Sequence, residues 1–154
     1  MKIVKLPSLS KQVGGNHYKN KHYELAQFSL DVGLSPMIHS AIKYILRDKT
    51  DKAEDLEKAQ HCVTIFRDWV YCNSNLNPRI LNNFNTNMDF NLVSTFLTQF
   101  EAHEQAAMLA IIQLQAEVKV FETVSEDFTT NVKADTDLLL ANYKNAIEHI
   151  ERLK

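Results

Sequence analysis

The chain has little of the chemistry that marks several common protein classes. Its 154 residues contain only two cysteines, Cys62 and Cys72, three glycines and three prolines. Two cysteines ten positions apart on one helix cannot bridge to each other, so a disulfide framework is excluded, and a reducing, cytoplasmic setting is the default expectation. No run of about 18 apolar residues is present, and Met1-Lys2-Ile3-Val4-Lys5-Leu6-Pro7 lacks the apolar core of a signal peptide, so neither a membrane span nor export is expected. A G-x-x-x-x-G-K-[ST] phosphate loop is missing, which removes a Walker-type ATP site. His61 and Cys62 are adjacent, but no second pair stands at zinc spacing, and the His103-Glu104 pair lacks a second helical His. No metal site and no catalytic residue can therefore be assigned from the sequence.

What is present reads as helix. The three glycines (Gly14, Gly15, Gly33) and three prolines (Pro7, Pro36, Pro78) all fall in the first 78 residues, leaving the back half free of either. Residues 1–21 read as loop. His22–Val32 predicts a short helix stopped by Gly33. Ser35-Pro36 supplies an N-cap and a first-position proline for a helix running to Arg47 or Lys49. Thr50 or Asp51 can cap a third helix from Lys52 to Tyr71, and the short connection implies a helical hairpin. An Asn-rich stretch with Pro78 then separates two regimes. The expected layout is a hairpin domain over 1–72, a linker over 73–90 and a long helical oligomerisation region over 91–154.

The back region carries a stepped stripe: Val93, Leu97, Phe100, Glu104, Ala107, Ile111, Leu114, Val118, Phe121, Ser125, Phe128 and Val132. Steps of four and three alternate, the spacing of a coiled coil or helix bundle. The register slips near Asp135, which fits either a turn between helices or a stutter in one helix. A small hairpin could not cover such a stripe alone, so a homo-oligomer is expected. No strand pattern competes. The fold class is all-α.

Charge is unevenly spread. Overall the net charge is −2, which argues against general nucleic-acid binding. The first 78 residues hold 11 Lys/Arg against 8 Asp/Glu, whereas the remaining 76 hold 6 against 11. A small anionic ligand would therefore favour the front half.

Three constellations in that half could meet one. In Ala41-Ile42-Lys43-Tyr44-Ile45-Leu46-Arg47 two cations, i and i+4, interrupt an apolar segment and can share a phosphate: Arg as a planar fork, Lys as a point charge. The plainer alternative is two snorkelling side chains. Glu54, Asp55 and Lys58 open the next helix, where acids suit the helix dipole but could also orient Lys43 and Arg47 or hold Mg²⁺ with a nucleotide phosphate. Glu54-x-x-Glu57 matches half of the paired-carboxylate pattern of helical pyrophosphohydrolases, yet Glu101/Glu104 and Glu148/Glu151 repeat that spacing without further support. Gly14-Gly15-Asn16-His17-Tyr18 offers exposed backbone N–H groups for an anion, with His17 and Tyr18 able to close over a base.

In order and separation these segments, Gly-Gly-x-His-Tyr, Lys-Tyr-x-x-Arg and Glu-Asp-Leu-x-Lys-Ala, resemble a family of small bacteriophage proteins long catalogued as a domain of unknown function. That family includes a coliphage kinase acting on deoxynucleoside monophosphates without a Walker loop. The resemblance covers roughly residues 12–69. It implies a nucleotide-handling protein in the host cytoplasm, with nucleoside monophosphate kinase activity as one form of that role. The implied ligand-binding residues are Gly14, Gly15, His17, Tyr18, Lys43, Tyr44, Arg47, Glu54, Asp55 and Lys58. His39-Ser40 stands where the family has Gly-Asn. Two rival expectations are a non-enzymatic oligomer that sequesters a host nucleotide signal and a helical factor that docks on a host protein.

Overall fold

A computed structural model describes residues 3–4, 6–10, 23–48, 50–73, 86–118, 120–124 and 130–154. After a single 3-10 turn at Pro7–Ser10, these residues form six α-helices: α1 (Leu25–Val32), α2 (Pro36–Leu46), α3 (Lys52–Asn73), α4 (Phe90–Leu97), α5 (Ala102–Ala116) and α6 (Thr136–Glu151). The helical class expected from the sequence is observed. One addition was not expected: an antiparallel hairpin between α5 and α6, made of β1 (Val120–Val124) and β2 (Thr130–Ala134), with Val120 opposite Ala134.

Local chemistry sets the helix ends. Gly33 closes α1 in the left-handed region at φ 70°, where a Cβ would be penalised, and its N–H reaches Ser29 O. Ser35 Oγ then accepts from Ile38 N at 3.3 Å and Pro36 occupies the first turn of α2, the start its sequence predicts. Asp51 is the cap of α3, accepting from Glu54 N at 3.0 Å. Asp89 and Asp135 cap α4 and α6 in the same way. Lys52 Nζ bridges the start of α3 to the end of α2, donating to Ile45 O and, at 3.2 Å, to Arg47 O, where α2 runs out of N–H partners.

Packing joins the two halves of the chain. In α2, Ile38, Ala41, Ile42 and Ile45 are fully buried at spacings of three, one and three, one helix face. They meet Leu56, Ala59, Val63 and Phe66 of α3 across the hairpin. α5 packs on α2 and α6, and α6 packs on α3, so these four helices enclose a shared core. α5 is the most enclosed of them: Ala107, Met108, Ala110, Ile111, Ile112, Leu114 and Gln115 are all buried. At one end α1 and α4 pack together, with Phe28 and Phe96 stacked at 4.1 Å and Tyr23 edge-on to both.

This arrangement departs from the expected layout in its helix lengths and in its core. The back stripe is not one continuous helix; it breaks at Thr98–Glu101 and again at the hairpin, whose backbone runs extended through Phe121 and Val132. A four-three pattern does not distinguish one long helix from short helices separated by turns. Nor does the stripe need a second copy to cover it, because Val93, Leu97, Ala107, Ile111 and Leu114 lie in the chain's own core. The front hairpin and the back helices accordingly share one hydrophobic cluster instead of forming a domain and a separate extension. The separating linker falls mainly at 74–85, outside the described residues.

Three glutamines fasten the non-helical segments. Gln115, wholly buried on α5, accepts from Ser35 N at 2.8 Å and donates to Gly33 O at 2.8 Å, so it holds the α1–α2 turn. Gln99 accepts from Tyr23 N at 2.8 Å and donates to Tyr23 O at 2.9 Å. Gln27 donates to Val4 O and accepts from Leu6 N at 3.3 Å. A primary amide carries one acceptor and a donor pair, so each can stand in for a neighbouring strand and satisfy both polar groups of the segment it faces.

Candidate functional site

The expected site residues divide into those that meet and those that do not. Gly14, Gly15, His17 and Tyr18 lie outside the described residues. The others gather where α2 ends and α3 begins. Because the buried face of α2 is Ile38, Ala41, Ile42 and Ile45, Lys43 does not interrupt it: Lys43 is exposed, on the opposite side of the helix. The linear run of apolar letters around Lys43 concealed this, since 100° per residue separates neighbours in sequence.

Arg47 follows the last turn of α2 with extended backbone at φ −67° and ψ 128°. Its Nη1 meets Asp55 Oδ1 at 3.4 Å across the hairpin. The Asp55 side chain is only 5% exposed while that of Arg47 is 28% exposed, so the carboxylate is an internal anchor and the guanidinium still reaches the surface. Asp55 Oδ2 is also enclosed and has no hydrogen-bond partner among the described residues.

Tyr44 lies half-buried between two cations: the Arg47 guanidinium carbon is 5.6 Å from its ring centre and Lys58 Nζ is 6.0 Å away. Both are within reach of cation–π attraction. Lys58 is also ion-paired with Glu54 one turn earlier, and that hydrogen bond holds its ammonium above the ordinary lysine pKa. Two of the three cations thus already have a carboxylate. Among the described residues Lys43 has no ion-pair partner. The family-like motif is mixed in role, since its Leu56 and Ala59 are fully buried core positions.

Two further side chains belong to this region. His39, one turn before Lys43, is hydrogen-bonded through Nδ1 to Ser29 Oγ on α1 at 2.7 Å. Burial first, and then the Lys43 ammonium, lower its pKa below the ordinary histidine value. Sequence reasoning met His39 only as a departure from the family pattern; its position four before Lys43 and eight before Arg47 was the available signal.

Each of the two carboxylates named for Mg²⁺ has a cation beside it. Glu54 is engaged by Lys58 and Asp55 by Arg47, and no group of three or more His, Cys, Asp or Glu able to hold a metal occurs among the described residues. His61 is exposed and Cys62 buried, so their adjacency does not make a joint ligand pair. No helix among the described residues is long and apolar enough to cross a membrane. A cleft of about 350 Å³ lies elsewhere, between Arg67, Asp68 and Tyr71 of α3 and Thr136, Asp137 and Leu140 of α6. Its arginine is held by Asp68 at 2.6 Å and lies over the Tyr143 ring at 4.2 Å.

Comparison with protein-family models, with curated proteins and with solved structures finds no match to this chain.

Proposed function

We propose that the end of the α2–α3 hairpin binds a phosphate-bearing small molecule, with a nucleotide as the preferred class. The observation that carries this reading is the anchoring of Arg47: a part-exposed guanidinium held by the buried Asp55, over the edge of Tyr44, with the exposed Lys43 one turn away. A snorkelling arginine needs no internal carboxylate. A guanidinium oriented by one, with N–H groups still accessible, is arranged to meet a second anion. Tyr44 adds an aromatic surface beside the guanidinium. The resemblance to phage nucleotide-handling proteins points the same way.

On this reading Lys43 and Arg47 hold phosphate oxygens and Tyr44 faces the remainder of the ligand. Lys58 adds positive potential after Glu54 has taken part of its charge. Any Mg²⁺ would arrive with the ligand's phosphates. Whether the bound molecule is phosphorylated or simply retained is read by turnover. A kinase converts a nucleoside monophosphate in the presence of a phosphoryl donor, whereas a sequestering protein binds stoichiometrically and releases the molecule unchanged. Docking on a host protein through the back stripe has less support, because Val93, Leu97, Ala107, Ile111 and Leu114 of that stripe are in the core.

The test is a thermal-shift screen against nucleotides and cyclic nucleotides, with and without Mg²⁺, followed by a turnover assay on each stabilising compound. A ligand that prefers the folded state must raise the melting temperature. Stabilisation that disappears in Lys43→Ala/Lys58→Ala supports the proposal; absence of any stabilising phosphate compound refutes it.

A further inference from the structure

His39 is the one titratable side chain of α2 besides Lys43, Tyr44 and the terminal Arg47, and it stands on the Lys43 side of the helix. Residues i and i+4 of a helix are neighbours on its surface, so His39 stands one turn before Lys43, and Arg47 follows Lys43 at the end of the helix. Ser29 fixes the imidazole through Nδ1 at 2.7 Å. That partner is a hydroxyl, which can donate to or accept from the ring. A carbonyl would lock Nδ1 as a donor; a hydroxyl lets the ring gain a proton without losing its contact with α1. In the protonated ring Nδ1–H donates to Ser29 Oγ and Nε2–H is the second donor.

Resting on the phosphate reading of Lys43 and Arg47, we propose that His39 is a third, proton-dependent contact of that site: neutral in the free protein, and protonated when a phosphate- or sulfate-type anion is bound. The proton comes from solvent and no bond other than N–H is formed. With the anion absent, the neighbouring Lys43 ammonium and partial burial disfavour a second positive charge at His39. An anion at Lys43 cancels that repulsion and replaces it with attraction.

Among the described residues the charged groups on the surrounding elements do not supply a competing counter-ion. On α1, Asp31 accepts the Tyr23 hydroxyl at 2.6 Å, and Glu24 lies at the start of that helix. On α3, Asp55 is paired with Arg47 and Glu54 with Lys58. α5 carries His103 and Glu104 near its start. Among the described residues Lys43 is the charge that acts on His39.

Sulfate is the probe, because it does not titrate over the range in which histidine does. Its affinity is measured by calorimetric titration at about pH 5.5 and about pH 8 for the wild type and for His39→Gln, whose amide can keep a contact with Ser29. The imidazole signal of His39 is followed by NMR in the wild type with and without sulfate, which needs no variant to remain folded. A shift of one pH unit in the imidazole midpoint corresponds to about a tenfold change in affinity. The expected result is sulfate binding about tenfold tighter at the lower pH, a His39 midpoint raised by sulfate, and a much flatter profile in His39→Gln. Binding that is equal at both pH values, an unmoved His39 midpoint, or a dependence retained in His39→Gln overturns the role of His39 and leaves the Lys43/Arg47 site standing. No sulfate binding at either pH overturns that site and this inference together.

Discussion

Replacing Gln115 by leucine removes one polar side chain and, with it, the fastening of the α1–α2 turn. Leucine has similar bulk, so the cavity left behind is small and the cost is mainly electrostatic. Ser35 N loses its 2.8 Å acceptor, and Ser35 is buried, so water cannot readily replace Gln115 Oε1. Gly33 O loses its 2.8 Å donor but is only half-buried and regains water more easily. Stranding one buried donor costs about 1–3 kcal/mol, and the second bond adds about 0.5–1.5 kcal/mol. The expected loss is therefore about 2–4 kcal/mol, against a typical domain stability of about 5–15 kcal/mol. For a chain of this size that lowers the melting temperature by roughly 5–15 °C. Urea unfolding followed by helical circular dichroism should show a reduced midpoint with an unchanged slope, the sign of lost stability without a changed unfolded state. Gln115→Glu should fare no better, because it faces Gly33 O with an acceptor and buries a charge. A Gln115→Leu loss below about 0.5 kcal/mol would refute the claim that this amide holds the turn.

Arg47→Ala should destabilise the fold by roughly 2–3 kcal/mol, less than a fully buried pair would cost because Arg47 is part-exposed, since it strands the enclosed Asp55. Removing both, as Arg47→Met/Asp55→Leu, should recover most of that loss in the same urea assay; no difference between the single and double variants would contradict the anchoring. Burial, and then the Asp31 carboxylate, raise the pKa of Tyr23 well above the ordinary tyrosine value. The unfolded phenol ionises near pH 10 while the folded one resists, so this contribution is whole below about pH 10 and is lost as pH rises beyond it. Tyr23→Phe should therefore show a shallower alkaline decline in urea midpoint than the wild type, and parallel profiles would rule this out. Burial and Lys43 lower the His39 pKa, which has the opposite sense: its stabilising contribution is complete above about pH 6.5 and declines as pH falls below that value. His39→Gln should flatten that acidic decline when no anion is present, and an unchanged stability profile would contradict it.

Much of the front half could be read directly from the chain, because its punctuation is local. Gly33, Ser35-Pro36 and Asp51 act within a turn of where they stand, and the structure uses each as its residue type suggests. The back half could not be read this way. Val93 to Val132 keeps a helical step through two breaks, and nothing in that step distinguishes Val93 or Leu97 in the chain's own core from a residue facing a second copy. The same limit applies to Lys43. Its apolar sequence neighbours suggested an intruding charge, whereas three-dimensional phase puts it in solvent beside a well-formed buried face. Gln99 and Gln115 were invisible for a different reason: a glutamine in a helical run looks like surface until the backbone segment it serves, 76 or more residues away, is brought to it. Acids at the start of α3 could be read as serving the helix dipole, orienting the cations of α2 or holding Mg²⁺; the burial of Asp55 against Arg47 has no signal in the sequence.

The most direct test of the phosphate reading is calorimetric titration of the wild type and of Lys43→Ala/Lys58→Ala with whichever nucleotide gives the largest thermal shift. These two lysines can be removed without stranding Asp55. A charge-assisted hydrogen bond contributes about 1.5–3 kcal/mol, so losing the Lys43 contact together with the Lys58 potential should weaken binding by about tenfold or more while leaving helicity and melting temperature of the free protein nearly unchanged. Equal affinity in the two proteins would contradict the account.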